Sequence, residues 1–212
     1  MTTYDNRAHV TLLQAASVCL RYPDEHVVPL LPLVRAALDT LPEGRPRERL
    51  TAFVAAAESM APAQLAEHYI GVFDQHRRCC LYLTWWTDGE TRRRRTSLAK
   101  LEQRYRAAGM ELDRTELPDF LPAVLEFAAT TDRTGGLALL QEHRAALELL
   151  RLALVEAATP YAAPVEAVCA LLPGPSPTDV AAAKALARSG PPREQVGLDL
   201  APFGTRPEGA RR

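Results

Sequence analysis

The chain has 212 residues, enough for one sizeable domain. Its 47% hydrophobic and 24% charged content is that of a globular protein, not of a disordered or fibrous one. With 25 Lys+Arg against 26 Asp+Glu the formal net charge is −1, which excludes a globally basic nucleic-acid binder.

The dominant hydrophobic period is helical. Val10, Leu13, Ala16, Val18 and Leu20 predict a helix over Arg7 to Arg21, ended by the turn Tyr22-Pro23-Asp24. Pro29 and Pro32 suit the irregular start of a second helix reaching about Leu41. Pro46 opens a third, with Leu50, Phe53, Val54 and Ala57 on one side. Pro62 begins the next, which runs through Leu65, Tyr69 and Val72 towards Trp86 with a break near Phe73-Asp74.

Asp88-Gly89 is a stop signal, and a helix from Thr91 to Ala108 follows with Gly109 as its C-cap. The two prolines of ELPDFLP, at 116–122, cannot both sit inside one straight helix. Glu116 to Leu121 is therefore a shaped turn, with a helix from Pro122 to Thr130. One long helix is expected from Gly136 to Ala158, on the stripe Leu139, Leu140, Leu147, Leu150 and Leu154. Pro160 to Leu172 is the last clear one.

Composition then shifts. PGPSP at 173–177 reads as a linker and Thr178 to Arg188 as a short alanine-rich helix. Ser189 to Arg212 holds four Pro and four Gly in 24 residues, too little apolar surface to offset the entropy of ordering it. No segment alternates as a strand does. The expectation is an all-α fold: one helical domain over residues 1–172 and a loosely attached, flexible C-terminal tail over 173–212.

The start MTTYDNRAHV lacks a basic-then-apolar leader, and no apolar run reaches the roughly 18 residues needed to span a bilayer. Four scattered cysteines do not form a disulfide framework. A cytoplasmic protein without direct membrane insertion is the expectation.

Chemistry-bearing motifs are sparse. There is no Gly-rich phosphate loop, no HExxH and no GxSxG, so no catalytic residue is assigned. His76, Cys79 and Cys80 would fall at i, i+3 and i+4 of a helix, with His68 two turns upstream. Adjacent cysteines point about 100° apart on a helix, and a structural zinc site wants four ligands. The spacing favours small core cysteines over a metal site.

The run Arg92 to Arg95 is either a solvated helix face or a site for anions and peptide carboxylates, which guanidinium forks pair with bidentately. Tyr69, Phe73, Tyr82, Trp85 and Trp86 make the densest aromatic region in a chain that is only 6% aromatic. Two adjacent tryptophans cannot share one core face, so one of them lines a groove or lies beneath a loop.

LRYPDE (20–25), HYIGVFD (68–74), RRCCLYLTWWTDGETRRR (77–94) and ELPDFLPAVLEF (116–127) together resemble the NarJ family. These are the delta-subunit assembly chaperones of respiratory nitrate reductase, within the TorD-like helical chaperones of redox-enzyme maturation. The resemblance covers about residues 10–172. It implies a non-catalytic protein with no stably bound cofactor. Such a protein binds the apo alpha (catalytic) subunit through its N-terminal peptide, and the alpha-beta complex is a further partner.

The client is thereby held competent for insertion of the molybdenum cofactor, which belongs to the client, before membrane anchoring. The alternative is a chaperone for another molybdoenzyme, of the dimethyl sulfoxide reductase type. The family pattern places His68, Tyr69, Phe73 and Asp74 in its first motif. Tyr82, Gly89, Arg92 and Arg94 stand in the second, and Glu116, Leu117, Pro118, Asp119 and Pro122 in the third.

Gly89, Leu117, Pro118 and Pro122 are expected to shape the backbone. Arg95 stands where the family usually has glycine. The expectation is a groove near Tyr82, Trp85 and Trp86 that takes apolar side chains of a client helix, with Arg92, Arg94, Asp74 and Asp119 as rim charges.

Overall fold

The computed structural model describes residues 4–75, 77–113 and 116–189. Eleven helices lie within these: α1 (Asn6–Cys19), α2 (Leu31–Asp39), α3 (Arg45–Glu58), α4 (Pro62–Phe73), α5 (Leu83–Asp88), α6 (Arg92–Ala107), α7 (Leu121–Thr130), α8 (Arg133–Glu142), α9 (Arg144–Glu156), α10 (Ala162–Leu171) and α11 (Val180–Ser189). Among the described residues the only β-type pairing is a single antiparallel bridge between Tyr82 and Phe120.

Local sequence sets the starts. Asp5 caps α1 by accepting the Ala8 N–H at 2.7 Å, Thr91 caps α6 and Asp132 caps α8. Proline occupies the first turn of α2, α3, α4 and α7, where its missing N–H costs nothing.

Helix α7 is the hub. Leu121, Pro122, Ala123, Val124, Leu125, Phe127 and Ala128 are all buried, so it is apolar nearly all round and must be enclosed. Helix α1 encloses it on one side and α8 on another. The Ser17 hydroxyl donates to the Pro122 carbonyl at 2.8 Å, and Arg21 pairs with Glu126, so α1 is pinned in register along α7. Helices α3 and α9 flank α10, which also meets α1.

Gly136 brings α8 close: a Cβ built there would sit 2.3 Å from the Ala128 Cβ.

The single helix expected over 136–158 is instead two, α8 and α9, which meet at His143. His143 leaves helical geometry at φ −97° and ψ 18° while its N–H still bonds the Leu139 carbonyl at 3.1 Å. Helix α8 is seated against α7 through Gly136, whereas α9 lies against α10, α5 and α11. The chain bends at His143 to serve both sets of contacts. The apolar period runs through the bend without a change, so it carries no sequence signal.

Beyond Leu172 the chain doubles back over α9. Arg144 donates to the Pro173 carbonyl and the Ser176 hydroxyl, and Arg151 to the Pro177 carbonyl. Fully buried Glu148 joins the two arginines, at 2.7 Å and 2.6 Å. Helix α11, expected over 178–188, then lies on α9 and buries Ala183 completely. The Pro/Gly-rich stretch 190–212 lies outside the described residues.

Candidate functional site

The ELPDFLP turn is built from its carbonyls and one carboxylate. The Tyr105 hydroxyl of α6 donates to the Pro118 carbonyl at 2.8 Å. The Leu83 and Leu121 N–H groups bond the Asp119 and Leu81 carbonyls, each at 2.9 Å, closing the bridge that carries Tyr82 against Phe120. Asp119 Oδ2 accepts the Thr84 N–H at 3.1 Å and the Thr84 hydroxyl, and lies 3.5 Å from Arg94 Nη2. Pro118 and Pro122 are buried, while Leu117 projects outward at 41% exposure.

Asp119, expected as a rim charge, is fully buried and fastens the turn to α5 and α6. Arg94, expected beside it at the rim, reaches inward. Its Nε donates to the Thr84 hydroxyl at 3.2 Å, and its guanidinium lies 5.8 Å from the Tyr82 ring and 5.9 Å from the Trp85 ring. The reason is position: a desolvated carboxylate demands a partner, and Arg94 is the cation of its run that α6 turns towards the turn. Arg92, by contrast, is exposed.

The tryptophans divide the work. The Trp86 Nε1–H donates to the Cys80 carbonyl at 3.0 Å and its ring rests on the core, while half-buried Trp85 faces Arg94. Gly89 ends α5 at φ +57°, a left-handed conformation that other residues adopt at a cost.

The first motif is organised by a residue outside all the motifs. Tyr161, 1% exposed, has the rings of Phe53, His68, Tyr69 and Phe73 within 5.0–5.8 Å of its own. His68 Nε2 is hydrogen-bonded to the Thr159 hydroxyl oxygen at 2.8 Å. Its imidazole is thus committed to the loop before α10. Asp74 is exposed just past α4.

LRYPDE and HYIGVFD meet at Tyr69, whose hydroxyl donates to the Leu20 carbonyl at 3.3 Å. Tyr22, from LRYPDE, stands edge-on to its ring at 5.4 Å, and the Phe73 ring lies tilted against it at 4.6 Å. Burial pushes the Tyr69 hydroxyl's pKa up, and Tyr161, Asp74, Tyr82 and Glu116 push it further. The second motif joins the third through the Tyr82–Phe120 bridge and the Thr84–Asp119 hydrogen bonds, and the third reaches LRYPDE through Arg21 and Glu126.

Tyr22 at 44% exposure, Ile70 at 37% and Leu117 at 41% stand out as large exposed apolar side chains on these same segments. Desolvation raises the Glu116 carboxyl, with Arg21 opposing and Asp113 adding to the rise. Tyr22, Tyr69, Phe73 and Tyr161 form one aromatic cluster, of which Tyr22 is the exposed member. Tyr22 and Ile70 were legible as motif members but not as surface; Tyr161 was legible only as one apolar residue of the helix over 160–172.

Among the described residues no group of three or more His, Cys, Asp and Glu side chains could hold a metal ion. His76 lies outside the described residues. Cys79 is buried and its thiol is pushed up by that burial. No helix among the described residues is long and apolar enough to cross a membrane.

An all-α domain with no sheet among its described residues is consistent with the fold of the TorD-like helical chaperones. The profile of the nitrate reductase delta subunit matches residues 39–167, and the chain belongs to that family.

It is 40% identical over 156 residues to the nitrate reductase-like protein NarX of Mycobacterium tuberculosis, covering 74% of this chain and 23% of NarX. It is 36% identical over 118 residues to a probable nitrate reductase molybdenum cofactor assembly chaperone, NarJ, of Bacillus subtilis, covering 56% of this chain and 64% of NarJ. To NarJ of Escherichia coli it is 29% identical over 154 residues, 71% of this chain and 64% of that protein. The chain thus spans under a quarter of NarX and somewhat under two thirds of either NarJ.

Proposed function

We propose that this protein is a cytoplasmic assembly chaperone for a nitrate reductase. It binds the apo alpha subunit by its N-terminal peptide and keeps it open to molybdenum cofactor insertion before membrane anchoring. Two relatives carry molybdenum cofactor assembly chaperone in their names, which supports the reading.

The observation that carries it here is that direct contacts tie four separated motifs together, while Tyr22, Ile70 and Leu117 on three of them stay exposed. A folded protein that leaves such side chains exposed beside a buried aromatic cluster has a place for an apolar partner face. The client supplies an amphipathic segment whose apolar side chains settle on the aromatics. Arg21, Asp74 and Glu116 at the edge set its direction, and Arg92 lies further along the second motif. Arg94 and Asp119 act beneath the surface, holding Tyr82 and the turn in place.

Calorimetric titration with a peptide from the alpha-subunit N-terminus tests this reading. The double variant Ile70→Ser with Leu117→Ser, altered only at exposed positions, is expected to lose at least tenfold in affinity while melting as the wild type does. Unchanged affinity in that variant would show that the peptide binds elsewhere. Stronger binding of the signal peptide of a dimethyl sulfoxide reductase-type enzyme would reassign the client.

A further inference from the structure

Helix α6 presents a second surface that the aromatic site does not use. At 100° per residue, Arg94, Leu98, Leu101 and Tyr105 fall on its inner side, and Leu101 and Tyr105 are buried there. On the same geometry Arg92, Arg93, Arg95, Lys100 and Arg106 lie within an arc of about 160° on the outer side, over a length of about 21 Å. All five are exposed.

The other residues of that arc, Thr96, Ala99, Gln103 and Ala107, carry no charge and are exposed too. Glu102 borders the arc on one edge, and Arg104 on the other is neutralised by Glu142 at 3.2 Å.

None of the five cations forms an ion pair among the described residues. Three of them stand in the first turn of α6, where the helix dipole already places positive charge and where no acidic residue offsets it. Arg92 and Arg95, at i and i+3, repel across that turn. In a chain of net charge −1, this concentration lowers the stability of the isolated helix. A counter-charge from outside would relieve it.

We infer that the outer face of α6 docks an acidic segment of a protein partner, one that carries aspartate or glutamate side chains along one face of a helix. Guanidinium forks recognise carboxylates with a defined geometry, and the cations, three in the first turn and then Lys100 and Arg106, spread along the length of α6. The patch is less suited to a lipid surface, because its uncharged residues include no large apolar side chain to insert. Glu102 on its edge and exposed Glu90 beside its first turn would oppose a continuous polyanion such as DNA, yet leave room for discrete carboxylates. Arg93, Arg95, Lys100 and Arg106 carry the inference apart from the client reading, which uses only Arg92 of the five, and they point away from the face that bears Tyr105 and Arg94.

The test uses the full chain and a fluorescently labelled alanine-based helical peptide with glutamate at every fourth position. The comparison variant combines Arg93→Gln, Arg95→Gln, Lys100→Gln and Arg106→Gln, all at exposed positions. Expected are anisotropy-detected binding at low salt, its steep loss at moderate salt, and at least about tenfold weaker binding in the variant. The variant should keep the wild-type melting temperature and the wild-type affinity for the alpha-subunit peptide.

No binding of the acidic peptide at low salt, or equal binding by the variant, would overturn the inference. So would tighter binding to phosphatidylglycerol vesicles or to duplex DNA than to the peptide. Loss of only the alpha-subunit peptide in the variant would overturn it as well, by placing α6 within the client site.

Discussion

Arg94 of α6 and Asp119 of the ELPDFLP turn are paired at 3.5 Å, with the aspartate fully buried and the arginine side chain 20% exposed. Twenty-five residues apart in sequence, they tie two of the family motifs into one unit. Thr84 completes it by presenting both its N–H and its hydroxyl to the same carboxylate oxygen.

Removing the carboxylate leaves a largely desolvated guanidinium and an orphaned backbone N–H. Asp119→Ala is therefore expected to cost about 2–4 kcal/mol of unfolding free energy. Urea denaturation measures it. A loss under about 1 kcal/mol, the worth of an exposed pair, would mean that Arg94 finds an equally good partner in water. Arg94→Ala should cost less when Asp119 is already alanine than when it is not, because the two act on one another.

Gly136 makes a sharper steric prediction. A Cβ there would lie 2.3 Å from the Ala128 Cβ, 2.4 Å from its Cα and 2.9 Å from its N, and two of those atoms are backbone. Helices α7 and α8 would have to separate, so Gly136→Ala should destabilise by about 1–3 kcal/mol despite alanine's better helix propensity. Thermal melts of Gly136→Ala, Ala128→Gly and the double variant decide it. Stabilisation by Gly136→Ala would show that the interface yields without strain.

What the sequence made legible follows a physical division. Proline and glycine act through the local backbone, so Pro46, Pro62 and Gly89 mark helix edges within a residue or two of where they fall. The pair Trp85-Trp86 had to split between two faces for geometric reasons, and it does.

Contacts over long separations left no such trace. Asp119 looked like a surface acid because nothing local reveals that Thr84 and Arg94 enclose it. Tyr161 looked like one apolar residue among many, though four rings surround it. Arg144, Glu148 and Arg151 carry the i, i+4 and i, i+3 spacing of an exposed ion-pair ladder, and only the returning chain at 173–177 makes them interior.

That returning chain yields the third prediction. Glu148→Gln would leave Arg144 and Arg151, with side chains 7% and 11% exposed, facing one another without a counter-ion. A buried pair broken on one side costs about 3–5 kcal/mol. Part of that cost can be avoided by releasing residues 173–179 so that water reaches the arginines. Limited proteolysis should then cut the variant within this segment under conditions that spare the wild type, and amide exchange on α11 should accelerate. Equal protection in both proteins would show that the apolar seat of α11 on α9, not the arginine latch, holds the segment.

The bend at His143 makes stability depend on pH with a definite sign. Burial disfavours the imidazolium and lowers the His143 pKa; Glu142, Asp119 and Asp88 oppose the shift, and Arg104 adds to it. The folded pKa thus lies below that of the unfolded chain, about 6.5. Between the two, the unfolded state binds more protons, so stability rises with pH there and is lost as pH falls from about 6.5 towards the folded value.

One histidine cannot contribute a slope steeper than about 1.4 kcal/mol per pH unit. Glu116, whose carboxyl is raised, works in the opposite sense at lower pH, since its contribution fades as pH rises through its folded value. Subtracting the pH profile of His143→Gln from that of the wild type isolates the imidazole, because Glu116 is common to both. Urea midpoints across pH 5 to 7.5 should give a difference that grows as pH falls below about 6.5 and is flat above it. A difference flat across the whole range would mean that the imidazole keeps its ordinary affinity for a proton at the bend.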